Sequence, residues 1–204
     1  MVASVQSPAD IVNLSLARIG YQKRIGSLYE GSAAASKALT LYAQTRDELL
    51  RQFDWGFAER NVTMTLLKSA PVGGYVPPLY WSTAYPILPW MYEYAYPDDC
   101  LKVRSIRSTP MFLFNPDPQA ILFTVDNDTA YTPSKKVILT NVQNAILVYT
   151  GQVTDPTQWE ADFVEALAAA LGRRLAPALV GVDFTKIEAQ DEEMAKNMAE
   201  QELG

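Results

Sequence analysis

The chain has 204 residues, 49% hydrophobic and 20% charged, with one cysteine, no histidine and a formal net charge of −6. One cysteine excludes a disulfide scaffold, and the apolar and aromatic content excludes general disorder. The missing histidine removes His-based triads, His-ligated zinc and imidazole pH switching, and the acidic balance argues against a phosphate-binding surface. No apolar run approaches the ~20 residues of a membrane span. Residues 1–8 have no charged segment leading into an apolar one, so no signal peptide is expected.

Helical signals open the chain. Ser7 is placed to cap, Pro8 fits the first helical position, and Asp10 is the reciprocal capping partner. Ile11, Val12, Leu16 and Ile19 follow at helical spacing, and Gly20 supplies the stop. A second helix is expected over 32–53, with Ala35, Ala38, Tyr42, Leu49 and Phe53 along one stripe. Arg46, Asp47 and Arg51 point elsewhere, with Asp47 and Arg51 as an i, i+4 pair.

The pattern then changes to β. Val62, Met64 and Leu66 alternate with threonines, which predicts a strand. Residues 71–97 are too rich in proline for a long helix and carry Tyr75, Tyr80, Trp81, Tyr85, Trp90, Tyr92, Tyr94 and Tyr96. They read as an aromatic loop leading into a short strand over 91–96. Further strands are expected over 100–106, 120–125, 130–132, 136–139 and 145–150. Turns separate them, one at Asp126, Asn127 and Asp128. Such spacing suggests an antiparallel meander or small sandwich.

The last part returns to helix. Asp155, Pro156 and Gln158 make a capping box, and Trp159, Phe163, Leu167, Leu171 and Leu175 form a stripe that Pro177 ends or kinks. Asp183 is placed to cap a final helix with Ile187, Met194 and Met198 on one side. The fold class is therefore α+β. Residues 1–60 and 152–204 form one discontinuous helical bundle, and 61–151 form an inserted antiparallel β and loop module.

Chemistry is sparse. Gly73 and Gly74 lack the rest of a phosphate loop, and the Asp126–Asp128 run lacks the central glycine and closing glutamate of a calcium loop. Cys100 has no activating neighbour and reads as a buried thiol. Arg173 and Arg174 either meet phosphate or form a salt-bridged face. The residues suggest no catalytic, metal or cofactor site. The aromatic loop fits two uses: covering the core of the β module, or contacting another subunit or partner.

Several strings occur in an order that resembles one known family. They are Ala9 to Asn13 with Arg18, Ile19 and Gly20; Tyr42 with Arg46 to Leu50; and Trp55, Phe57, Ala58 and Arg60. Tyr96 to Val103, Trp159 to Ala168 and Leu175 to Leu179 complete the order. The chain resembles the head-to-tail adaptors of short-tailed bacteriophages, also called tail tubular protein A. The likeness implies a virion structural protein without enzymatic activity, assembled in the host cytoplasm into the tail. Such adaptors form a homo-oligomeric ring, commonly a dodecamer, between the phage portal protein and the tail nozzle protein. DNA passes through the channel without specific binding.

On this reading Trp55, Phe57, Arg60, Trp159 and Phe163 are structural motif residues. Tyr80, Trp81, Tyr85 and Trp90 are proposed to contact a neighbouring subunit or the nozzle. Ile187, Met194 and Met198 are proposed to contact the portal; the alternative for that stripe is packing on its own bundle or fraying. Two other functions fit the residues: a different tail-completion or interaction module, and a carboxylate-dependent envelope hydrolase using Asp98, Asp99 or Glu165.

Overall fold

The structure is a computed structural model that describes residues 7–75, 82–108 and 120–181. It is α+β and divides into two compact units. One is the continuous segment Glu59–Gly151; the other combines the residues before Glu59 with those after Gly151.

The discontinuous unit holds helices α1 (Pro8–Arg18), α2 (Ala33–Gln52) and α3 (Ala161–Leu179). Both α1 and α2 pack on α3. Ser7 caps α1 by accepting the Asp10 backbone N–H, while its hydroxyl donates to the Asp10 carboxylate at 2.7 Å. Gly20, at φ 72°, provides the left-handed residue that lets the chain leave the helix. The following loop is held by Asn13, whose amide donates to the Ile25 carbonyl and accepts from the Ile25 N–H at 2.9 and 2.8 Å. Ser32 caps α2 by accepting from Ala35. The inner stripe runs through Ile11, Leu16, Ala35, Leu50, Phe163, Leu167, Leu171 and Leu175, all essentially inaccessible.

Three helical expectations are corrected. Arg46 is buried, not solvent-facing, and its guanidinium pairs with Asp47 at 2.7 Å. Asp47 also accepts from the Gln152 amide at 2.7 Å, so its partners are Arg46 and Gln152. The sequence 155–158 does not open α3. Asp155 accepts from the Thr157 N–H and hydroxyl, closing a separate 3-10 turn over Pro156–Gln158. Trp159 is extended, and α3 starts at Ala161 with no side-chain cap. Pro177 does not stop the helix, which continues to Leu179. Pro177 lies in the last turn, where only one ladder bond is forfeited, and the Val180 N–H still donates to Ala176 at 2.9 Å. The helix expected after Asp183 lies outside the described residues.

The second unit contains seven antiparallel strands: β1 (Glu59–Thr63), β2 (Leu66–Ser69), β3 (Tyr92–Ala95), β4 (Cys100–Arg107), β5 (Phe123–Asp128), β6 (Lys135–Thr140) and β7 (Ile146–Gly151). They form a three-stranded sheet ordered β1-β7-β4 and a four-stranded sheet ordered β2-β3-β6-β5. Tyr94 and Ile138 from the larger sheet join Ile106, Leu147 and Tyr149 from the smaller in one buried cluster with Met64 and Cys100. Burial pushes the Cys100 thiol up, as expected for an inert cysteine.

The expected single strand over 62–66 is two strands in different sheets. Between them, the Met64 N–H donates to Ala145 and the Thr65 carbonyl accepts from Ala95, so the crossing itself is hydrogen-bonded on both sides. Met64 is buried, whereas Val62 and Leu66 are exposed. The turn expected at Asp126–Asp128 is the end of β5, opposite Lys135–Val137. The turn falls instead on the expected strand 130–132. The Asp128 carboxylate sets this break by accepting from the Ala130 N–H at 2.8 Å.

Candidate functional site

The tryptophan motif builds a ring cluster in the discontinuous unit. After α2 the chain makes a 3-10 turn at Gly56–Ala58 that brings Trp55 and Phe57 back toward α3. Phe163 is wholly buried at the centre, with ring centroids 5.2 Å from Trp55, 5.1 Å from Phe57 and 5.0 Å from Trp159. All three contacts are edge-to-face, the arrangement that aromatic quadrupoles favour. The indole N–H groups are satisfied: Trp55 donates to the Leu49 carbonyl at 3.1 Å and Trp159 to Val153 at 3.2 Å.

Arg60 belongs to the other unit. Its guanidinium lies 3.3 Å from Asp99, which accepts from the Tyr149 hydroxyl at 2.9 Å. Burial and this hydrogen bond push the Tyr149 hydroxyl up to about 12. The Arg60 side chain crosses the backbone at Gly151, where a Cβ would overlap it. Only four residues thus lie between Trp55 and Arg60, yet one closes the helical core and the other ties β1 to the segment before β4.

The remaining carboxylates named in the sequence are scattered. Asp98 is exposed beside a cleft of about 510 Å³ whose lining includes Tyr96, Lys135 and Lys136. Glu165 is in the other unit and pairs with Arg18. Arg174 resolves to the salt-bridged alternative, donating to Glu48 at 2.7 Å and Thr45 at 3.0 Å. Among the described residues, no group of three or more His, Cys, Asp or Glu is arranged to hold a metal ion, and no helix is long and apolar enough to cross a membrane.

In the aromatic loop, Tyr80 and Trp81 lie outside the described residues, as do Ile187, Met194 and Met198. Tyr85 meets Tyr75 edge-on at 6.0 Å, and the Tyr75 hydroxyl donates to the Pro86 carbonyl at 2.9 Å. Tyr85 and Trp90 are half-buried, and Tyr85 packs on Tyr75 of the same loop. Ile87 and Leu88 between them remain 48% and 53% exposed.

One cluster escaped the sequence reading. Lys68 on β2 pairs with Asp128 on β5 and lies 3.5 Å from Glu93 on β3. The three side chains are 11%, 14% and 4% exposed. Glu93 keeps one carboxylate oxygen, Oε1, buried without a hydrogen-bond partner. Burial pushes its carboxyl up to about 7, against the pull of the Lys68 ammonium. Burial is the largest single influence on Asp128 and would raise it too, but the hydrogen bonds from Lys68, the Ala130 N–H and Glu93, with the Lys68 charge, together outweigh it and leave that carboxyl below its ordinary value. Only the pairing of strands far apart in sequence brings these groups together.

Two predictions follow from the packing. Phe163→Ala should cost about 3–5 kcal/mol in denaturant unfolding, because the surrounding rings cannot all collapse into the void. Gly151→Ala should displace Arg60 and cost about 1–2 kcal/mol. In an Arg60→Ala background the same change should be nearly neutral, a coupling that a double-mutant cycle measures directly.

No family model matches the chain, and no curated protein matches it.

Proposed function

We propose that this chain is a structural subunit of a bacteriophage virion, a ring-forming adaptor between the portal and the tail nozzle. The observation that carries the reading is the ordered series of motifs from Asp10 to Leu179. The geometry of those motifs is compatible with a subunit whose role is mechanical. Trp55, Phe57, Trp159 and Phe163 are spent on packing, and Arg60 on an ion pair with Asp99.

A closed ring needs two different, mutually complementary faces on each subunit. The loop around Tyr85 and Trp90 offers one, since Ile87 and Leu88 project apolar surface beside ordered rings. Tyr80 and Trp81 belong to the same proline-rich stretch and extend that contact to a neighbouring subunit or the nozzle. The segment 182–204, with Ile187, Met194 and Met198, is assigned to the portal. It carries seven acidic residues against two lysines, so five of the six net negative charges of the chain fall there. Its proposed portal contact therefore draws on three apolar side chains within an acidic sequence.

Purified protein mixed with portal rings should give stoichiometric ring-on-ring particles in electron micrographs. Persistent failure to associate with any portal would refute the assignment. Deleting residues 184–204 should leave the melting temperature unchanged while abolishing docking; normal docking by the truncated chain would remove that segment from the portal contact.

A further inference from the structure

We propose that Lys68, Glu93 and Asp128 form a proton-operated latch that holds the two edge strands of the four-stranded sheet together and weakens when Glu93 loses its proton. β2 and β5 stand at opposite ends of the strand order β2-β3-β6-β5. Three strand spacings in a flat sheet amount to about 14 Å, too far for a lysine and an aspartate to meet. Their contact shows that this sheet curls, bringing its edges together over the Glu93 side chain of β3. The ion pair is thus a closure across the sheet, and Glu93 lies beneath it.

Charge counting gives the switch. With Glu93 neutral, one ammonium faces one carboxylate and the buried cluster is balanced. With Glu93 ionised, two carboxylates share one ammonium and a net negative charge is buried, which is costly without further partners. Among the described residues, the other charged or titratable groups near this face do not supply one. Lys135 on β6, opposite Asp128, is exposed and holds its ammonium 4.5 Å from the Tyr131 ring centre. Tyr131, in the β5–β6 turn, also stacks under Lys68 at 5.2 Å. Asp126, on the same side of β5, is exposed and adds negative charge.

The direction of the pH effect follows from proton binding. Glu93 holds its proton more tightly in the closed sheet, up to about pH 7, than at its ordinary value of 4.5. Closing therefore takes up a proton between those values, and the latch loosens as pH rises through that window. Asp128, held below its ordinary 3.8, keeps its charge throughout. The latch concerns one subunit and does not depend on ring assembly.

Hydrogen-exchange protection factors on the full-length protein test this at pH 5.5 and 8. Protection of β2 and β5 amides should fall by about ten- to thirtyfold between the two, as a carboxyl shifted from 4.5 to about 7 requires. Protection of α3 should not follow that fall. Glu93→Gln, which keeps the shape and removes the charge, should abolish the pH dependence. Unchanged protection in the wild type, or the same fall in the variant, would overturn the latch. If the variant does not fold, carbon-detected titration of the wild-type Glu93 carboxyl decides: a midpoint near 7 supports the proposal, and one near 4.5 overturns it.

Discussion

Everything in the helical unit depends on α3 meeting both α1 and α2, although α3 follows them by about a hundred residues of intervening chain. That contact buries Phe163, Leu167, Leu171 and Leu175, and neither sequence half could form the core alone. The β unit must accordingly start and finish at neighbouring points. It does so because its first and last strands are paired: Glu59 lies opposite Thr150 in the β1–β7 ladder. Such pairing holds together the two ends of the segment Glu59–Gly151, so the long loop it closes is an ordered one.

Each unit leaves one described polar atom buried without a hydrogen-bond partner. In the helical unit Arg46 is paired with Asp47 and the Trp159 indole with Val153, while the Tyr42 hydroxyl has no partner. In the β unit the Lys68 cluster contains two carboxylates for one lysine, with one oxygen of Glu93 unpartnered. A buried pair seldom adds net stability over apolar packing, so such a group suits the proposed role in switching strand arrangement. Curling the four-stranded sheet also draws its two exposed edges toward one another, which limits edge-to-edge pairing with other chains.

Charge distribution matters for the assembly reading. Since most of the net charge lies in 182–204, the remainder of the chain has 16 acidic and 15 basic residues and is nearly neutral. Were the chain to form the proposed ring, DNA would meet subunit bodies of nearly balanced net charge.

The sequence by itself determined helices α1, α2 and α3, the α+β class and the stripe that α3 buries, because those follow from local periodicity, capping residues and proline. Ser7 and Gly20 act where such signals predict, and Phe163 lies on the expected face. Wherever the outcome depended on residues distant in sequence, tertiary structure decided. Met64 and Thr65 look like the middle of one strand, but hydrogen bonds to Ala145 and Ala95 send the flanking residues into two sheets. Asp126 to Asp128 have turn composition, yet pairing with Lys135–Val137 and the Lys68 contact hold them in β5. Arg60 and Asp99, and Lys68, Glu93 and Asp128, are ordinary charges along the chain. They become a clamp and a latch only because strand order and sheet curvature place them within ion-pair distance, and no local pattern encodes that order.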